Sequence, residues 1–185
     1  MIARDDETRA RLADDGPLFR GYAPEMEAIH RANAARLVEI VATHGWPGRS
    51  LVGVEAASAA WRILQHAIGE PAVMRRLAPV IGAAAAEGEA DPAEVAMLDD
   101  RIRVLEGRPQ RYGTQYDWDE TLTAMVPMGG VEDPDNVDDR RTAVGLPPMQ
   151  WRRPVPPDQI DHAPGSWKER QRELDEWARA RGWRP

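Results

Sequence analysis

The stretch Gly53-Val54-Glu55-Ala56-Ala57-Ser58-Ala59-Ala60-Trp61-Arg62-Ile63-Leu64-Gln65-His66-Ala67-Ile68 decides the fold. Val54, Ala57, Trp61, Leu64 and Ile68 recur at helical spacing on one side. Ala56, Ala60, Ile63 and Ala67 cover much of the other side. A helix that is apolar nearly all round belongs in the centre of a helical core. One polar strip interrupts it, made of Ser58, Arg62, Gln65 and His66. A polar group buried there costs about 1–3 kcal/mol unless it finds a partner, so the strip marks a network or a site.

Working outward, Met26, Ile29, Leu37, Ile40 and Val41 form the stripe of a preceding helix that runs from Met26 to His44. Gly45-Trp46-Pro47-Gly48 stops it. His30, Asn33 and His44 fall among its apolar positions. Downstream, a helix is expected from Pro71 to Glu87, kinked or split at Pro79. Asp91, Pro92 and Glu94 form a capping-box-like start to the next, whose stripe is Val95, Leu98, Ile102 and Leu105. The texture changes at Tyr112. Tyr112, Thr114, Tyr116 and Trp118 alternate with smaller or polar residues, and Thr121 to Val126 alternate again, which predicts a hairpin. Asp133-Pro134 opens a short helix that Gly145 closes. The expected fold is mainly α, a compact domain of four to five helices with one small β-hairpin and a C-terminal helical extension.

Charge and proline usage divide the chain near position 150. Residues 1–150 carry a net charge of −9 and residues 151–185 a net of +2. The expected organisation is a helical core over 1–150, then a linker and an amphipathic helix over 151–185. The linker reads Trp151-Arg152-Arg153-Pro154-Val155-Pro156-Pro157, and the helix carries Trp167, Leu174 and Trp177 at helical spacing. Such a helix is suited to dock on its own core, on a second copy in a homodimer, or on a partner protein.

The inventory excludes several chemistries. The chain has 185 residues, 42% hydrophobic and 30% charged, with a net charge of −7, which argues against a nucleic-acid sleeve. No apolar run approaches the roughly 20 residues of a membrane span, and Met1 to Glu7 hold no apolar signal-peptide core. A cytoplasmic protein is expected. Without cysteine there are no thiolate metal sites and no cysteine nucleophile. Lys168 is the only lysine, and Ser50, Ser58 and Ser166 lie in no nucleophile elbow. The histidines at 30, 44, 66 and 162 show no zinc-ligand spacing, so neither metal nor cofactor is expected.

What remains is acid–base chemistry. His30 and His44 are read as core histidines, whereas His66 shares its face with Gln65 and Arg62 and is the candidate proton carrier. Asp100 and Tyr112 complete the candidate catalytic set. Arg101 offers a planar fork for a carboxylate or phosphate. Gln65, Gln110, Thr114 and Gln115 offer polar contacts for a substrate. The other reading of the second group is a hydrogen-bond network that pins the hairpin to the helices. The expectation is a cofactor-free acid–base enzyme on a small molecule or peptide side chain, catalysing cyclisation, isomerisation, elimination or hydrolysis. The alternative is a non-catalytic binding or interaction module.

The order of several short motifs carries a resemblance. These are Gly45-Trp46-Pro47, Gln65-His66-Ala67, Asp100-Arg101, Gln110-Arg111-Tyr112-Gly113-Thr114-Gln115, Asp133-Pro134, Arg140-Arg141 and Gly145-Leu146. Over roughly residues 26 to 150 the chain resembles a family of bacterial proteins of unknown function. Members of that family often carry an aspartate after Gln-His-Ala, where this chain has Ile68. The resemblance implies where a site lies and supplies no reaction.

Overall fold

A computed structural model describes residues 1–14 and 22–185. It is mainly helical, with eight α-helices and one two-stranded hairpin among the described residues. The helices are α1 (Ile2–Asp14), α2 (Pro24–His44), α3 (Arg49–Val52), α4 (Val54–His66), α5 (Pro71–Ala86), α6 (Pro92–Leu105), α7 (Val137–Ala143) and α8 (Trp167–Ala180). That is more than the four to five expected. The sequence reading passed over α1, which is too charged to show an apolar stripe, and α3, which is a single turn. No helix among the described residues is long and apolar enough to cross a membrane.

By compactness the chain divides into residues 1–95 and 96–185, and the segment 151–185 falls inside the second unit. In the first unit α4 packs against α1, α2, α3 and α5, the central position its composition calls for. Met26, Leu37, Leu64, Met74, Leu77 and Ile81 are its most deeply buried large apolar side chains. The helix α5 continues unbroken through Pro79, forgoing the one hydrogen bond that a proline nitrogen cannot donate. Asp91 Oδ1 accepts from Ala93 N at 2.9 Å, as a cap should, but Glu94 does not close a capping box. Its carboxylate instead takes the Ser58 hydroxyl at 2.5 Å. His44 is exposed at the end of α2 rather than set in its apolar stripe.

In the second unit the hairpin is shorter than the alternation suggests. The strands are β1 (Tyr116–Trp118) and β2 (Met125–Pro127), antiparallel, with Asp117 opposite Val126. Tyr112 to Gln115 do not extend β1, because Asp100 on α6 claims the Tyr112 and Thr114 amides and Gln110 Oε1 takes that of Gln115. The Asp100 carboxylate accepts from Arg111 N at 2.7 Å, Tyr112 N at 3.1 Å, and Thr114 N and Oγ1 at 2.9 Å each. Amides bent onto one carboxylate cannot also form a ladder. The hairpin turn is organised in the same way by Asp119. That side chain accepts from Thr121 Oγ1 at 2.8 Å, Thr123 N at 2.9 Å, Ala124 N at 3.2 Å and Arg152 at 2.6 Å.

The C-terminal segment is tied into this unit at several points. Arg153 exchanges backbone hydrogen bonds with Met125 at 2.9 and 3.0 Å. On α8, Arg170 Nε reaches the two carboxylate oxygens of buried Asp117 at 2.7 and 2.9 Å. Arg184 donates to the carbonyls of Val104 and Leu105 at 2.7 and 2.8 Å at the end of α6, where the Val104 carbonyl also accepts from Gly107 N at 3.0 Å.

Two outcomes are expected. Asp100→Ala leaves the amides of Arg111, Tyr112 and Thr114 without their shared acceptor, and urea denaturation should show a loss of about 3 kcal/mol. Burial pushes the Asp119 carboxyl up, but its donors from Thr123, Thr121, Arg152 and Ala124 outweigh this and hold it well below the ordinary aspartate value. A folded-state value below the unfolded one means stability that is complete above about pH 5 and lost as the pH falls through the folded value. The acid limb of a melting-temperature profile should therefore flatten in Asp119→Asn.

Candidate functional site

In the first unit α1, α2 and α4 touch one another pairwise, so one side chain from each can meet at a common point. On α1 the buried positions are Asp5, Thr8 and Leu12, the three- and four-residue steps of one helical face. On α2 His30 lies within the buried row Met26, Ile29, His30, Asn33, Ala34 and Leu37. His66 is the last residue of α4, following buried Ile63, Leu64 and Gln65.

These faces bring Asp5, His30 and His66 together. Asp5 is completely buried, and its Oδ2 lies 3.2 Å from His66 Nδ1 and 3.3 Å from His30 Nε2. The two imidazole rings are 5.1 Å apart between centroids. On the far side of His30, the Tyr22 hydroxyl is 2.7 Å from Nδ1, and the tyrosine ring stacks on the imidazole with centroids 5.7 Å apart. Burial would push the Asp5 carboxyl up, but its contacts with His30 and His66 prevail and hold it far below the ordinary aspartate value. The pair of imidazoles therefore faces a permanent anion. His66 is the outer of the two, with 19% of its side chain exposed against 7% for His30.

The donor set also suits a metal. One ligand atom from each of Asp5, His30 and His66 can be chosen so that all lie within 4.8 Å of one another. Sequence reasoning passed over Asp5 entirely and read His30 as a core residue. The signal that would have found Asp5 is its helical spacing from Thr8 and Leu12, which a search for apolar stripes does not register.

The other expected site residues belong to the second unit. Asp100, Thr114, Gln110 and Gln115 are brought together there, in a network turned inward on the protein. Gln110 Nε2 donates to the carbonyls of Gln115 at 2.9 Å and Met128 at 2.8 Å, while its Oε1 accepts from Gln115 N at 2.7 Å. Gln115 Nε2 donates to Thr114 Oγ1 at 2.9 Å and to Met97 O at 3.3 Å. Burial pushes the Asp100 carboxyl above its ordinary value, against the pull of its amide and hydroxyl donors. Tyr112 is half-buried beneath the Arg111 guanidinium, and its carbonyl accepts from buried Arg141. Arg101 is half-buried on α6, and Gln65 is buried on α4 beside His66.

No curated protein and no solved structure matches the chain. A family model does, and it covers residues 8–154, so that His30, His66 and the Asp100 network lie within the match and Asp5 just before it. On that match the chain belongs to the family of unknown function DUF6624.

Proposed function

We propose that the protein is an acid–base enzyme acting on a small molecule or a peptide side chain, with His66 as the proton carrier. The observation that supports this reading is the buried Asp5 carboxylate 3.2 Å from His66 Nδ1. A carboxylate at that nitrogen fixes the tautomer with the proton on Nδ1, which leaves Nε2 as the base. It also stabilises the imidazolium formed when Nε2 takes a proton, while itself remaining ionised. Asp5 is thus a positioning residue, acting through His66. Because His66 is the more exposed imidazole, it is the one a substrate meets.

Proton abstraction by Nε2 and its return to another atom of the substrate covers isomerisation, elimination and cyclisation. Abstraction from water covers hydrolysis. With one peripheral lysine and no cysteine, the chain offers few alternatives for covalent catalysis. The second-unit residues have a different task in this reading. Asp100 and Gln110 use their polar atoms to hold the chain between α6 and the hairpin, which leaves little for a substrate.

The test begins without a substrate. Nitrogen-15 spectra of the imidazoles should show His66 protonated at Nδ1, and Asp5→Asn should remove that preference while the far-ultraviolet dichroism stays helical. Turnover is then sought with a metabolite and peptide panel followed by NMR. His66→Gln should retain the fold and lose turnover by roughly 10²–10⁴-fold. A folded His66→Gln protein with undiminished turnover overturns the assignment. A ligand that binds both proteins equally and is changed by neither overturns it in favour of a binding module.

A further inference from the structure

We infer that Asp5, His30 and His66 form a binding site for one divalent transition-metal ion, of the zinc or cobalt kind, with coordination positions left open. The inference deepens the acid–base reading by assigning a cofactor class to the same residues, and it rests on four observations.

Geometry comes first. The distances from Asp5 Oδ2 to His66 Nδ1 and His30 Nε2 are 3.2 and 3.3 Å. Bonds of about 2.0–2.1 Å to a tetrahedral ion place neighbouring donors about 3.3 Å apart, so two edges of the polyhedron already have their length. Donor chemistry comes second. Two imidazole nitrogens and a carboxylate oxygen suit zinc, cobalt or iron(II), whereas calcium and magnesium require oxygen ligands.

Third, the cluster has unused bonding capacity. Asp5 Oδ1 is buried without a hydrogen-bond partner. His30 Nε2 approaches Asp5 Oδ2 at 3.3 Å but makes no hydrogen bond, although the residue is only 6% exposed. A cation between the three side chains would use both atoms. Fourth, the outer contact is the one a metal-bound imidazole needs. With Nδ1–H donated to the Tyr22 oxygen at 2.7 Å, the lone pair of His30 Nε2 turns toward Asp5. Two neutral imidazoles and one carboxylate carry a single negative charge, so a dication is not fully neutralised and retains affinity for water or a substrate anion. In the metal-free protein His66 Nε2 is the base; with Nδ1 bound to the ion instead, Nε2 would hold the proton, and a water on the open position would take over the proton-carrying role.

The experiment uses the full chain, freed of any affinity tag and of metal, titrated with Co²⁺ while visible absorption is recorded. One equivalent should produce ligand-field bands, Zn²⁺ should bleach them, and Mg²⁺ or Ca²⁺ should not. His30→Gln and His66→Gln should each abolish the bands at one equivalent, with dichroism confirming the fold. Tyr22→Phe should weaken affinity by about 10–100-fold. His44→Gln and His162→Gln should leave the titration unchanged. If His30→Gln does not fold, His66→Gln, at the more exposed of the two imidazoles, decides the matter alone. Absence of bands at one equivalent, or bands that survive loss of His66, overturns the site. The two readings fail separately. No bands together with lost turnover in His66→Gln removes the ion and keeps the proton carrier. Bands lost in His66→Gln with full turnover retained keep the ion and remove the proton carrier.

Discussion

A carboxylate cut off from water must be surrounded by donors, since an ionised group left without them costs several kcal/mol. Asp5 and Asp100 are both 0% exposed, and the two units of the chain answer that demand differently. Asp100 collects three backbone amides and a hydroxyl, spread over both of its oxygens. Asp5 has one imidazole hydrogen bond and a second imidazole nitrogen 3.3 Å away at one oxygen, and nothing on the other. A saturated carboxylate is a structural fastener. An unsaturated one, faced by groups that exchange protons or bind metals near neutral pH, has capacity left for a ligand. That difference in saturation, rather than burial or charge alone, separates the candidate site from the network that resembles it.

Saturation of Asp100 sets the path of the chain from α6 to the hairpin. Its donors come from Arg111 to Thr114, so the segment curls over the end of α6 before β1 begins at Tyr116. Gln110 extends the arrangement by bonding the carbonyls of Gln115 and Met128 on either side of the hairpin. Three-residue strands are too short to hold a hairpin in water by themselves, and these side-chain bonds supply what the ladder lacks.

The legibility of this structure in its sequence follows the same division. Helices announced by apolar periodicity and by cap or stop residues, such as α2 before Gly45-Trp46-Pro47, α4 and α6 after Pro92, could be read directly. The true extent of β1 could not, because period-two alternation from Tyr112 records only local preference, and a carboxylate on α6 overrides it. Likewise α1 hid behind its charge, with Asp5 and Thr8 occupying the positions where an apolar residue would have been noticed. His66 stood out by its company on an apolar helix. Its partner did not, since Asp5 and His66 are 61 positions apart and nothing in the spacing of either relates them.

The origin of that partner has a consequence for how the site is held together. The position after Gln65-His66-Ala67 is held by Ile68, and the carboxylate that faces His66 arrives from α1. A residue on a third helix that touches both α2 and α4 can contact both imidazoles at once, as Asp5 does. The site is then only as firm as the docking of α1. Exposed pairs such as Arg11 with Glu25 and Arg62 with Asp6 contribute at most about 1 kcal/mol each. The larger share comes from Leu12, buried against Ala23 and Met26 with Tyr22 packed beside them, where truncation to alanine costs about 2–5 kcal/mol. Tyr22 also contacts His30. The apolar contact that seats α1 and the hydroxyl that orients His30 therefore share a residue, so loosening the one disturbs the geometry of the other.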